Sequence, residues 1–376
     1  MLLCAVALLN LQSWLTVSQV ESVTFGNEFS SNIRASMSRG LQYQKLAVEG
    51  DIVVENGTYL VEDTELNLTV KIIARNNATV FIRNATLALT TRGYNYREGI
   101  VLADKSRLIV ENATITLESA DIGEQSYITV GDDAVVNITD SKLYGTALII
   151  GRKNSRTYVN HSVLKGPSPI NLQVFSVLTE DNSTARIQDS ELDTAGARGS
   201  SSVYVSNSII QTRGVSAGGN GLIEIENSSV GTSQWLWDNS TLRILNSTID
   251  HILFAGSSLI VRDSKVHDIW ASSNSTVWLM SVSVSRVLAR GNSTLWLINS
   301  YAREIKAEDQ GKVYVGWQLP LFGTIAFPHT WLPILQGLAL LAALIIIIGL
   351  LVVLNRRWKR RQLQKERQSS HASFQS

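Results

Sequence analysis

Apolar and polar residues alternate along most of this chain in short bursts, each broken by a polar corner, and the bursts recur. In the C-terminal half, LRILNSTIDHILFA from Leu242, LIVRDSKVHDIWA from Leu259, VWLMSVSVSRVLA from Val277, LWLINSYAREIKA from Leu295 and VYVGWQL from Val313 align with starts 17 or 18 residues apart. Each unit reads apolar-x-apolar-x-(Asn, Asp or Ser)-Ser-x-apolar-x-x-apolar, usually closing on Ala. The same template fits earlier at Ile223, Val203 and Ala185. Before these, copies at Val80, Leu108 and Val136 stand 28 residues apart, so each longer unit holds an extra strand or loop. IVVENGTYL from Ile52 reads as the first copy.

Strict alternation ending in a polar corner predicts a short half-buried strand and a turn rather than a helix. One unit cannot bury its own apolar face. Stacked units can, each adding about 4.8 Å along an axis and pairing its strand with the equivalent strand of the next. The prediction is an all-β, right-handed parallel β-helix over residues 50–317. Ile244, Val261, Leu279, Leu297 and Val315 form one interior column. Ile249, Val266, Val284 and Ala302 form a second, and Ile252, Ile269, Val287 and Ile305 a third.

The recurrent polar corner is occupied by Asn84, Asn112, Asp140, Asp189, Asn207, Asn227, Asn246, Asp263 and Asn299. Asn and Asp tolerate the left-handed backbone that a sharp corner needs, and stacked copies can hydrogen-bond along the column. A structural ladder is therefore expected. A metal-binding ladder is the competing reading, disfavoured because Asn outnumbers Asp, and no metal or cofactor is expected.

These units resemble the right-handed β-helix repeat proteins, the pectate-lyase-like superfold, and in particular the surface-anchored versions with N-A-T-L and N-S-T-L repeats of archaeal genomes. The matching stretches are IVVENGTYL from Ile52, NATVFIRNATL from Asn77 and NSTLWLINS from Asn292, within a resemblance spanning roughly residues 50–317. It implies the fold. It leaves activity open, because that superfold hosts lyases, hydrolases, adhesins and structural rods.

The two ends follow other rules. From Leu332 to Leu354 the chain has one polar side chain, Gln336, and no charge, and about 20 such residues cross a bilayer. Trp331 and Pro333 sit at its start, and Arg356, Arg357, Lys359, Arg360 and Arg361 follow its end. Aromatic residues favour the interface and basic clusters stay inside. The reading is a single-pass plasma-membrane protein with residues 332–354 as the span, a basic cytoplasmic tail at 355–376, a juxtamembrane linker at 318–331 and the β-helix outside the cell. Residues 1–20 are apolar and uncharged and resemble a secretory signal peptide, although no Lys or Arg precedes the apolar run. An uncleaved anchor is the alternative. Residues 21–49 then lead into or cap the repeat.

Composition removes several classes. The formal charge of +1 gives no footprint for nucleic acid. The single cysteine, Cys4, permits no intramolecular disulfide and no thiolate zinc site. The five histidines show no H-E-x-x-H spacing, and no Gly-rich phosphate loop follows a strand.

Thirteen N-x-S/T sequons fall into two main phases. Asn84, Asn112, Asn227 and Asn246 hold the ladder position. Asn77, Asn182, Asn239, Asn274 and Asn292 lie in the turn before a strand and are the predicted glycosylation sites. The outward position of the first strand holds Arg243, Ile260, Trp278, Trp296 and Tyr314 in successive units, so Trp278, Trp296 and Tyr314 should form an aromatic column able to stack on sugars or anchor a partner. A fold-back of residues 317–330 over the column is the bland alternative.

The expected role is structural or adhesive, with a glycan or cell-envelope partner. The rival is an extracellular polysaccharide lyase or glycoside hydrolase using the loops at 90–99 and 119–127, with Arg92, Tyr94, Tyr96, Arg97 and Glu98 in one and Asp121 and Glu124 in the other. No catalytic residue is assigned, because nothing in the spacing makes two carboxylates converge.

Overall fold

The computed structural model describes residues 23–24, 33–34, 51–91, 98–119, 126–145, 149–166, 175–319 and 323–372. The apolar N-terminal segment lies outside the described residues, as do Arg92, Tyr94, Tyr96, Arg97, Asp121 and Glu124.

The chain winds into a parallel β-solenoid of about 12 turns with one helix at its C-terminal end. A typical coil runs Thr276–Met280, a corner, Ser283–Ala289, a turn, and then Thr294–Ile298 directly beside the first strand. The first strand of every coil joins a 15-stranded sheet, here sheet 1, and the second joins a 19-stranded sheet, sheet 2. Alternate side chains of both sheets point into one continuous core. Ile244, Val261, Leu279, Leu297 and Val315 are consecutive partners and lie between 0% and 9% exposed. Ile249, Val266, Val284 and Ala302 are likewise in register, as are Ile252, Ile269, Val287 and Ile305. Each fully buried Ile, Leu or Val stabilises by about 1.5–3 kcal/mol relative to exposure. Because no coil has a private core, that gain exists only in the stack.

All nine ladder residues adopt left-handed φ values, between 46° and 50°. Each also gives its backbone N–H to the carbonyl of the next coil's strand end, as Asn246 does to Arg262 O at 3.1 Å. Asn side chains link some steps: Asn112 Nδ2 donates to Asn84 Oδ1 at 2.9 Å, and Asn246 Nδ2 to Asn227 Oδ1 at 2.7 Å.

The copy at Ile52 is out of phase. Ile52–Glu55 pairs with Ile72–Arg75 in sheet 2, and the sheet 1 strand is Thr58–Glu62, with Asp63 at its corner. The polar corner of the template misleads here: Asn56 has φ 53° at the opposite corner, so two different corners share the Asn-x-Thr spelling. A further coil, Arg156–Asn160, stands between the copies at Val136 and Ala185, with His161 at the corner.

Long coils differ from short ones at one place. Sheet 2 strands Thr86–Thr91 and Glu98–Leu102, Thr114–Ser119 and Tyr127–Val130, and Val163–Lys165 and Val177–Thr179 are pairs split by insertions. From Glu191–Gly199 onward the two halves fuse into single long strands.

The final coil ends in an antiparallel return. Gly323–Pro328 pairs with Lys312–Leu319, within the stretch read as a linker, and closes the open edge of sheet 1. His329–Trp331 makes one 3-10 turn, and α1 runs from Leu332 to Ala372, through the apolar stretch and on into the basic one. This helix is long and apolar enough to cross a membrane, and its described apolar side chains from Ile334 to Leu354 are unburied.

Candidate functional site

In each sheet 1 strand the middle residue points outward because its two neighbours face the core. In-register parallel pairing then puts equivalent residues one strand spacing apart. For flat rings that spacing is a stacking distance. Trp278 and Trp296 lie with centroids 5.1 Å apart at 6°, and Trp296 and Tyr314 at 4.4 Å and 15°. Such pairs add about 0.5–1.5 kcal/mol beyond their buried area. The three rings are half-buried, and their faces are turned on one another rather than on solvent. The column therefore presents a ridge of ring edges. The return strand meets it only at the end, where Pro328 pairs with Tyr314.

The ridge continues a groove of about 680 Å³ on the same face, lined by Arg186, Tyr204, Glu224, Arg243, Ile260 and Arg262 among others. These belong to successive coils: Arg186 is in register with Tyr204, then Glu224, Arg243 and Ile260, and Ile260 with Trp278. Arg243 Nη1 donates to Glu224 Oε1 at 2.7 Å, and the Arg186 guanidinium sits 5.7 Å over the Tyr204 ring. The floor thus combines charged donors and acceptors with an aromatic surface.

The predicted turn asparagines Asn77, Asn182, Asn239, Asn274 and Asn292 are all exposed and all lie at the corner opposite the ladder. At that corner Asn76, Asp104, Asp132, Asp181 and Asp238 take left-handed φ values between 53° and 60°. Two carboxylates at that corner are held by the backbone of the neighbouring coil. Asp104 Oδ2 accepts from Asn76 N at 3.0 Å, and Asp132 Oδ2 from Asp104 N at 3.4 Å. Lys153, bonded to Asp132, holds that carboxyl below its ordinary value. Glu180 accepts from Arg152 at 3.2 Å. Of the two loops proposed for an enzyme, Glu98 is the described carboxylate. Burial alone would raise it, but hydrogen bonds from Lys71 at 2.8 Å and Thr129 at 2.9 Å, with the charges of Lys71 and Arg152, leave it below its ordinary value. No pair of described carboxylates meets there.

Sequence reasoning missed a cluster on sheet 2. Asp268 is the one charged residue in the buried set of the described residues, its side chain 2% exposed. Arg286 grips it in a fork, through Nε at 2.9 Å and through Nη2. His251 Nδ1 lies 3.0 Å from one of its oxygens and His267 Nδ1 3.3 Å from the other, and the two imidazoles stack at 5.2 Å. The Arg286 hydrogen bonds lower the Asp268 carboxyl against the opposing effect of burial, and the charges of Arg286, His267 and His251 act in the same direction. The signal was hidden because His251, Asp268 and Arg286 come from three units at a position the template leaves variable. They meet only when the coils stack in register. Among the described residues no group of three or more His, Cys, Asp or Glu side chains is placed to hold a metal ion.

The fold and these surfaces define a class, a β-solenoid with a C-terminal apolar helix. No family model, no curated protein and no solved structure matches the chain.

Proposed function

We propose that this protein is a cell-surface adhesive rod: a β-solenoid outside the cell, held to the plasma membrane by α1, that binds carbohydrate of the envelope or of another cell along the outer face of sheet 1. The observation that carries the reading is the groove from Arg186 to Arg262 running into the Trp278–Trp296–Tyr314 ridge. An elongated surface of fixed aromatic and charged groups suits an extended chain of sugars better than a small enclosed ligand. Membrane attachment is supported by the unburied apolar helix and the basic residues after Leu354, which favour a cytoplasmic C-terminus. A secreted setting would also explain the exposed turn sequons, which would line one edge of the rod with glycans and leave both sheets open.

The test is retention of the full chain, in a detergent without a sugar headgroup, on an array of cell-wall polysaccharides. At least one polysaccharide should be bound, and Tyr204→Ala, Arg243→Ala and Trp296→Ala should each weaken that binding about tenfold, which is ~1.4 kcal/mol. Unchanged binding in all three variants would overturn the assignment of the site.

A further inference from the structure

We infer that the outer face of sheet 2 carries a second carbohydrate site, for an extended β-linked neutral glycan, formed by Trp235, Trp270 and the polar groups gathered on Asp268. The inference rests on the surface-binding reading above but uses a different face and different residues.

Trp235, Leu253, Trp270 and Leu288 are consecutive partners in one outward column. The two indoles are 57% and 46% exposed. Exposed tryptophans two to a column are uncommon on a surface without a partner. In contrast to the ridge on sheet 1, Leu253 separates the rings, so neither stacks on the other. They stand two coils apart, or roughly 9.6 Å. An extended β-linked hexose chain turns each ring over relative to the last, so every second ring offers the same apolar face, at a repeat that this spacing matches.

Two residues before Trp270 on the same strand is Asp268. Its partners are fixed with their free ends outward. Arg286 uses Nε and Nη2 on the carboxylate, so Nη1 and the second Nη2 hydrogen remain as donors. His251 and His267 turn Nδ1 to Asp268, which leaves each Nε2 to face away from it. A rigid set of donors and acceptors beside an exposed indole is what the hydroxyl rim and apolar face of a hexose require. Charge favours a neutral sugar: on the four successive strands Thr248–Ala255, Lys265–Ser272, Ser283–Ala289 and Tyr301–Ala307, Asp250, Asp268 and Glu304 are matched by Lys265, Arg286 and Arg303, and Lys306 pairs with Glu308, so no positive excess attracts an acidic one.

Titration calorimetry on the full chain, in a detergent without a sugar headgroup, would use cellohexaose, with maltohexaose as the coiled, α-linked control. Cellohexaose should bind and maltohexaose should bind at least tenfold more weakly. Trp235→Ala and Trp270→Ala should each weaken cellohexaose binding about tenfold without lowering the unfolding temperature, because both side chains are exposed. Asp268→Asn, which frees the imidazoles and Arg286, should weaken it as well, while Arg243→Ala should leave it unchanged. Absence of cellohexaose binding, equal binding of maltohexaose, or full binding by both tryptophan variants would overturn the proposal. Loss in Arg243→Ala with none in Trp270→Ala would sink this site and leave the groove on sheet 1 standing. Retention by all of these variants would sink this site, while the groove on sheet 1 stands or falls by Tyr204→Ala, Arg243→Ala and Trp296→Ala on the polysaccharide array.

Discussion

Asn246 donates from Nδ2 to Oδ1 of Asn227, 2.7 Å away and 19 residues earlier in the chain. Both residues head sequons, and the bond occupies the nitrogen atom that a glycosyl transfer would need. Nδ2 is likewise occupied in Asn112, which donates to Asn84, and in Asn84, which donates to Asp63, at 2.9 and 3.2 Å. Sequons that look alike in sequence are thus chemically distinct.

From a glycosylating host, peptides containing Asn239, Asn274 and Asn292 should gain sugar mass, and peptides containing Asn84, Asn112 and Asn246 should not. Mass spectrometry of the digested protein before and after glycosidase treatment reads this directly. Modification confined to the ladder set would reverse the assignment.

Replacing Asn246 by Val places a β-branched residue at φ 46°, at a cost of about 1–2 kcal/mol in backbone strain. Asn246→Gly relieves that strain and loses only the side-chain bond, so it should unfold between wild type and Asn246→Val in a denaturant titration. A Gly variant as unstable as the Val variant would show that the side-chain bond, and not the backbone, matters here.

Where the residue after the corner is Ser, from Ser141 to Ser264, it forms a second, buried ladder. Ser208 N donates to Ser228 Oγ at 3.1 Å, while Ser228 Oγ donates to Glu226 O at 2.6 Å, and the pattern repeats from Ser141 to Ser264. Ser228→Ala leaves the Ser208 N–H buried without that acceptor and should destabilise by about 1–3 kcal/mol. Thermal unfolding by circular dichroism measures it. No change would mean that the backbone relaxes onto another acceptor.

Asp268→Asn should be less stable than wild type at pH 7, because the carboxylate is held ionised by Arg286. A carboxyl depressed in the folded state contributes stability that is present above its unfolded value, about 3.9, and fades as pH falls through the lowered folded value. The gap between wild type and variant should therefore close at acid pH. Glu98, Asp132 and Glu308, also depressed, titrate in both proteins and cancel. A gap that persists unchanged to pH 2 would assign the effect to packing.

The alternation around Ile244, Val261 and Leu279 was sufficient to read the strands, their order and the interior columns, because a repeated apolar position in a solenoid has one place to go. Phase was less secure: Ile52 and Val80 share a pattern but sit in different sheets, since both faces of the coil use an apolar strand followed by a left-handed polar residue. The coil at Arg156 was passed over because His161 replaces the usual Asn or Asp. The aromatic column was readable as a column but not as a stack, because ring orientation depends on the strand spacing and on neighbours such as Ile260. Asp268 was unreadable for the opposite reason. His267 is adjacent, but His251 and Arg286 lie 17 and 18 residues away on either side, and no local pattern marks them.

The sheet 2 strands on either side of an insertion, such as Thr86–Thr91 and Glu98–Leu102, each pair with their equivalents in the next coil, so the climb per turn is the same in long coils and short ones. A turn of 28 residues and one of 17 raise the rod by the same step, so its length depends on how many turns are duplicated and its girth on what is inserted into them. Height and decoration can therefore drift independently: a duplicated turn lengthens the stack without repacking the others, and a rebuilt insertion widens the flank without changing the number of layers.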